Sequence, residues 1–427
     1  MTNTHIKERD VFKLSRLMYI FEAMFEYFIT LLTSGAYLAK LTTTIGISDG
    51  MTAVLSSITS LAGMFQIISI FLAHKTPVKR WVLPLTFLTQ SLVSTLYVLP
   101  FLNLGGAAPV IFFAIMLISK AGSNITPPIK ANWFLSLVDD KKRGDYQAKI
   151  NIVSLAGGMI FTLVASSVID TFEANQNLNG AFTVMTVTIC ILTLLQVSAL
   201  IIAKEKPSVS EKTESPFKAL KSLLKNNVYK RVIIANFLWA IATNITTPFL
   251  STFQIKELGF SMTFISGIGI VLSILHIFVV YFFGRYSMHH SYTSIMRISY
   301  IFAAASFLFV SISTPANGYV VFTIYRLAFL LFESANTVSA TSILFIIVPQ
   351  SDRTSAIAIN TIISGLAGFL MTLAVSPIVS FIQSTEIFVF GIQVYAQQIL
   401  AVVSLVITLF IFLYYQLFCH KLLKKTD

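Results

Sequence analysis

From Leu17 to Cys419 the chain alternates apolar runs of about 20 residues, each long enough to cross a hydrocarbon core of roughly 30 Å, with short polar loops. This recurrence constrains the fold more than any other feature. A backbone in lipid must satisfy its own N–H and C=O groups, and a helix does so within one segment. A chain that is 56% hydrophobic and 11% charged, with a mean hydropathy of +0.80, also lies outside the range of soluble domains. The expected fold class is therefore an all-α, multi-pass membrane protein with no room for a sizeable soluble domain.

Twelve spans are predicted in two sets of six. The first set falls at 17–39, 52–73, 81–102, 109–132, 150–171 and 181–203, the second at 232–255, 262–283, 294–314, 320–346, 356–381 and 394–418. The domains expected are a six-helix bundle over 1–203, a linker over 204–230 and a second bundle over 231–427. The polar segment Met1–Arg16 precedes a first run too long for a cleaved signal peptide, so that run is read as the first span.

The net charge of +12 is spread over short loops rather than one surface, which argues against a nucleic-acid partner and for a topological role. Of the 30 Lys and Arg residues, 24 lie in the segments on the side of the termini, while the opposite loops hold only Lys40 and Lys256. Positive loops resist translocation, so both termini are expected in the cytoplasm, with the plasma membrane as the expected location. The polar stretch Lys204–Arg231 carries eight Lys and Arg residues, and its part Pro216–Lys225 could lie as a short helix on the anionic leaflet or remain a solvated linker helix.

The two halves repeat each other. Ile45-Gly46-Ile47-Ser48 follows the first span and Leu258-Gly259-Phe260-Ser261 follows the seventh, 213 residues later. Leu155-Ala156-Gly157 recurs as Leu366-Ala367-Gly368 at an offset of 211, and Arg143 as Arg353 at 210. An internal repeat at nearly constant offset is the mark of a duplicated bundle.

With two six-helix halves, a long basic linker and both termini inside, the chain resembles the major facilitator superfamily of secondary transporters. The resemblance implies that spans one, four, seven and ten line a central cavity, and that the halves rock around it to expose a small solute to either side. The loop after span two departs from the family pattern: Ala73-His74-Lys75-Thr76-Pro77-Val78-Lys79-Arg80 lacks the expected acidic residue. The paired loop Gly284–His290 is also degenerate. Drug and proton antiporters of this family carry a proline before paired glycines in span five, whereas this chain reads Val153-Ser154-Leu155-Ala156 before Gly157-Gly158.

Away from their ends, the predicted spans hold five charged residues: Glu22 and Glu26 in span one, Lys120 in span four, Arg326 and Glu333 in span ten. A charge near the bilayer centre costs about 2.5 to 3.5 kcal/mol on insertion scales, so each one calls for water, a partner or a cargo. These five are the candidate substrate or coupling residues. Helical spacing of three and four places Tyr19, Glu22, Glu26, Thr30, Thr33 and Tyr37 on one face. Asn236, Thr243, Thr247, Ser251 and Gln254 share a face in span seven, and Asn124 and Pro127 accompany Lys120 in span four. Thr30, Thr33, Asn124, Asn236, Thr243 and Thr247 are the expected polar lining, although such hydroxyls also simply join helices.

Glu26 and Lys120 both fall roughly 15 Å deep by helical rise. They could form a structural pair, serve binding or coupling, or do both. Arg326 and Glu333, about 10 Å apart along one face, are too distant to bond directly. Glu333 is the repeat counterpart of Lys120 at the 213 offset. A carboxylate among Glu22, Glu26 and Glu333 could carry a proton, and the forked guanidinium of Arg326 suits an anionic cargo group. Asn124-Ile-Thr-Pro-Pro128 and Asn244-Ile-Thr-Thr-Pro248 are expected to kink their helices or expose carbonyls.

No cofactor, metal site or enzyme activity is expected. The phosphate-binding loop GxxxxGK is absent, Cys190 and Cys419 have no ligand spacing, and His276 has no clustered catalytic company. The reading is a secondary transporter of a small solute, with protons as the expected coupling partner and a monomer in the lipid bilayer. A drug or metabolite efflux antiporter of the same fold remains open, as does a non-transporting receptor or scaffold.

Overall fold

The computed structural model describes residues 12–66, 68–69, 77–102, 104–138, 143–205, 226–348, 353–385, 387–389 and 392–419. The loop cations Lys75, Lys141 and Lys142 and the expected linker helix at Pro216–Lys225 lie outside the described residues.

Each predicted span coincides with helix over most of its described residues, with 67 and 70–73 of span two lying outside them. The helices are α1 (Lys13–Leu32), α2 (Gly35–Thr44), α3 (Asp49–Ala62), α4 (Lys79–Thr95), α5 (Ala108–Ser136), α6 (Arg143–Ala174) and α7 (Leu178–Ile202). There follow α8 (Asn227–Thr246), α9 (Leu250–Lys256), α10 (Met262–Tyr286), α11 (Tyr292–Ser311), α12 (Gly318–Ile347), α13 (Arg353–Thr385) and α14 (Ala396–Tyr414). Among the described residues nine helical stretches are long and apolar enough to cross a membrane, and α1 with α2 forms a further candidate bent by 43°. Span five runs several residues past its predicted ends as α6, and span eleven likewise as α13. One departure from all-helical structure is a short antiparallel hairpin, β1 (Ile387–Val389) with β2 (Ile392–Val394), joining α13 to α14.

The helices also carry large apolar side chains on the outside. Phe278 is 67% exposed and Phe381 70%, and α10 buries almost none of its length in protein. A helix that is apolar all round and uncovered has lipid as its solvent.

The chain divides into two compact units. The first comprises Met1–Ile47, Ala62–Lys212 and Ser261–Ser266. In it α1 packs on α6 and α7, and α4 on α5 and α7. Close approach of α6 to α1 uses the paired glycines: a Cβ on Gly157 would sit 2.8 Å from the Phe28 ring, and one on Gly158 2.5 Å from Tyr27. The second unit comprises Ser48–Leu61, Thr213–Phe260 and Gly267–Asp427. Its largest helix contact is α11 on α12, and α8 packs on α13 and α14. There Gly365 brings α13 against the backbone of α3, with its missing Cβ 2.5 Å from the Ser60 carbonyl oxygen.

The repeat is visible in backbone conformation. Gly46 and Gly259 both adopt positive φ, at +76° and +67°, each closing a helix in the left-handed conformation that glycine accepts without strain. The first span breaks at Thr33-Ser34 and restarts at Gly35; the seventh breaks at the 3₁₀ turn Thr247–Phe249 around Pro248. Gly35 and Pro248 are themselves 213 residues apart. A glycine at φ +54° in one copy and a proline in the other interrupt the same turn by different means. In span four, by contrast, Pro127 and Pro128 lie inside continuous helix. The carbonyl of Ser123, deprived of its partner by Pro127, accepts from Thr126 Oγ1 at 3.4 Å.

Candidate functional site

The charged residues of the first unit converge on one cation. Lys130 Nζ, on α5, donates to Glu22 Oε1 at 2.8 Å and to Glu26 Oε2 at 2.5 Å, both on α1. Glu22 Oε1 accepts a second bond, from Gln196 Nε2 on α7, at 2.9 Å. The side chains of Lys130 and Glu22 are 2% and 1% exposed, while that of Glu26 is 24% exposed. The four residues come from three helices. Glu22 and Glu26, one helical turn apart, present both carboxylates to the same side of α1, where one ammonium can bridge them. Tyr19, a turn before Glu22, stacks on Phe134 of α5 with ring centroids 4.2 Å apart and closes the cluster on that side.

This corrects the expected Glu26–Lys120 pair. Lys120 Nζ donates to Thr33 Oγ1 at 3.2 Å, and Glu26 is held by Lys130. Lys130 stands two residues from the end of the predicted fourth span at 132 and is not among the five expected charges. In fact α5 continues to Ser136, so Lys130 lies inside the helix. Ten residues separate the two lysines, about 15 Å along the axis, which puts Lys120 level with Thr33 rather than Glu26. The available signal was spacing: Lys120 and Lys130 differ by nearly three turns, and Glu26 and Thr33 by about two, so the two cations serve different levels of α1.

The expected polar lining is mostly bonded locally. Thr30 donates to Glu26 O, Asn124 to Lys120 O, Thr243 to Trp239 O and Thr247 to Thr243 O, each four residues back on its own helix. Thr33 donates to Ile29 O and accepts from Lys120. Asn236 differs, donating from α8 to Asn360 Oδ1 on α13 at 2.9 Å.

In the second unit Arg326 and Glu333 do not join a cluster, whereas Lys256 pairs with Asp49 at 2.5 Å and Gln383 donates to the same carboxylate at 2.6 Å. Among the described residues neither Arg326 nor Glu333 has a side-chain hydrogen bond or ion pair; Arg326 is half-buried and Glu333 exposed on α12. His276 is within 2.9 Å of Ser334 Oγ through Nδ1. At the 213 offset, Glu22, Glu26 and Lys130 correspond to Ala235, Trp239 and Ile343. Ala235 and Ile343 are buried in one apolar cluster, against which Trp239 packs. The duplication therefore preserved the backbone while the polar cluster exists in the first copy alone.

The acid missing from the loop after span two is supplied from the other end of the first bundle. Glu205, just beyond α7, accepts from the backbone N–H of Val78 at 2.6 Å and of Lys79 at 3.1 Å, at the start of α4. A carboxylate there satisfies free N–H groups and complements the positive end of the helix dipole. Lys79 Nζ in turn donates to Ala203 O at 3.0 Å and to Ile201 O, and Trp133 Nε1 to Lys204 O at 3.0 Å. Burial at this edge lowers the Lys79 ammonium below the ordinary lysine range, and Glu205 opposes that.

Comparison with known proteins agrees with the two duplicated bundles. No curated protein matches the chain. Among solved structures the chain is similar to the nucleoside transporter NupG, with a TM-score of 0.69 and 15% identity over 95% of this chain and 98% of that one. It is similar to a D-xylose-proton symporter at TM-score 0.67 and 14% identity, covering 94% and 97% of the two chains. A bacterial homologue of the human lysosomal transporter Spinster, in an inward-facing and unoccupied conformation, gives TM-score 0.65 and 15% identity over 98% of each chain. At these identities the likeness shows the fold. The family model for the Major Facilitator Superfamily matches residues 18–372. With that match over most of its length, the chain belongs to the Major Facilitator Superfamily, a family of multi-pass membrane transporters rather than enzymes.

Proposed function

We propose that this chain is a secondary transporter that moves a small solute by alternating access and couples the movement to protons at the Glu22, Glu26 and Lys130 cluster. The observation that carries the reading is that cluster itself, in which one lysine bridges two carboxylates beside a third helix. With all three ionised it holds one negative charge in excess, in a setting where each charge costs about 2.5 to 3.5 kcal/mol. One bound proton cancels the excess and leaves Lys130 a single carboxylate partner, so the cluster has two states that differ by one proton.

Arg326 supports a cargo with an anionic group, because its half-buried guanidinium has no acidic partner among the described residues. The bundles 1–203 and 231–427, joined by the 204–230 linker, are the moving bodies in this reading. The bias of Lys and Arg supports cytoplasmic termini in this reading.

The test uses the full chain reconstituted in vesicles. A thermal-shift panel of sugars, nucleosides, amino acids, peptides and organic anions finds the cargo, and its flux is then followed under an imposed pH gradient. Flux is expected to respond to the gradient, and to lose that response in Glu22→Gln and Glu26→Gln. Gradient-driven flux that persists in both variants overturns the coupling role.

A further inference from the structure

The ionic cluster leaves one polar atom unused. Gln196 is fully buried on α7, and while its Nε2 donates to Glu22 Oε1, its Oε1 has no hydrogen-bond partner. A buried acceptor without a donor is rare, because its desolvation goes uncompensated. The vacancy lies on the same amide that holds Glu22.

Among the described residues the charged and titratable groups around Glu22 are as follows. On its own helix stand Tyr19 and Glu26; α5 contributes Lys130 and, further along, Lys120, which bonds Thr33. From α6, Tyr146 has its hydroxyl engaged by Arg16 Nε at 3.0 Å, with Lys149 lying over its ring. The helix α7 offers only the amide of Gln196. Of the two carboxylates that share Lys130, only Glu22 touches a group able both to donate and to accept.

We propose that Gln196 is the positioning residue for a proton on Glu22, its amide donating to the carboxylate and, turned over, accepting from the carboxylic acid. A hydronium ion passes its proton to one Glu22 oxygen and leaves as water, so that one O–H bond breaks as one forms, and the new O–H donates to Gln196 Oε1. Lys130 then keeps Glu26, the more exposed carboxylate, as its partner, so neither state leaves the ammonium alone. The idle oxygen of the amide is an acceptor waiting for the protonated state. This assignment rests on the proton-coupling reading and narrows it to one carboxylate.

The test is infrared difference spectroscopy on the full-length protein in lipid nanodiscs, titrated with acid and base alone. It follows the carbonyl band of a protonated carboxyl group in wild type, Glu22→Gln, Glu26→Gln and Gln196→Leu. The expected result is a titrating band that Glu22→Gln removes and Glu26→Gln retains. In Gln196→Leu the midpoint should rise by about one pH unit, because the carboxylate loses a stronger, charge-assisted bond than the acid does. The band itself should also shift, since the acid has lost its acceptor. A purely structural amide would lower thermal stability and leave midpoint and band position alone, and that result overturns the proposal. A band removed by Glu26→Gln, including in the event that Glu22→Gln does not fold, overturns the choice of Glu22 while leaving proton coupling in place. No titrating band that depends on either residue overturns both.

Discussion

Replacing Lys130 by Met should be far more damaging than replacing Lys120 by Met, although both lysines are buried in the same helix. Lys130 Nζ lies 2.8 Å from Glu22 and 2.5 Å from Glu26; its removal leaves two carboxylates facing each other with no cation. Breaking a buried pair by deleting one partner costs about 3 to 5 kcal/mol. Among the described residues Lys120 Nζ has one hydrogen bond, to the neutral hydroxyl of Thr33 at 3.2 Å, which contributes about 0.5 to 1.5 kcal/mol. Against that stands the several kcal/mol needed to desolvate an ammonium, so Lys120→Met should fall within about 1 kcal/mol of wild type or be stabilising. The assay is thermal unfolding of the purified protein in nanodiscs at neutral pH. Taking about 2 °C per kcal/mol for a large chain, Lys130→Met should melt roughly 6 to 10 °C lower. Adding Glu22→Gln should recover about half of the loss, because one fewer carboxylate is unpaired. If Lys120→Met were the more damaging change, the Glu26–Lys120 pair expected from sequence would be correct and the Lys130 cluster wrong.

Gly365→Ala should cost about 1 to 3 kcal/mol by overpacking, since the new Cβ would meet the Ser60 backbone oxygen at 2.5 Å, whereas Gly267→Ala, with nothing within 4 Å, should be harmless in the same melting assay. Gly46→Ala and Gly259→Ala should each cost about 1 to 2 kcal/mol and by similar amounts, because both hold left-handed backbone at equivalent points of the repeat. Glu257, just past α9, has its carboxyl pushed up by burial and by Asp49, with Lys256 opposing. A folded-state pKa above the unfolded value means that stability present at acid pH is lost as pH rises through the folded value. Glu257→Gln should therefore melt higher than wild type at neutral and alkaline pH and equal to it in acid; a gain confined to acid pH would contradict this.

The fold was legible because its causes are local or periodic. Apolar run length dictates helices in lipid. The 213-residue offset located matching turns without any knowledge of packing: the positive φ of Gly46 and Gly259 and the paired breaks at Gly35 and Pro248 follow from glycine and proline stereochemistry at those positions. The candidate site was legible in kind, since Glu22 and Glu26 are marked by their cost in a span, but not in pairing.

Sequence by itself determined that this chain spans a membrane repeatedly, that it is a duplicated bundle, and that its first span carries an expensive pair of carboxylates. Tertiary structure alone decided which cation answers them. Whether Lys120 or Lys130 reaches Glu26 depends on how far α5 slides along α1, a shift of about 1.5 Å for every residue of register. Nothing in either segment fixes that register, because it is set by side-chain packing between helices such as Tyr19 against Phe134. Gln196 illustrates the same limit. One glutamine in an apolar span carries no sequence mark, and only the approach of α7 to α1 places its amide on Glu22.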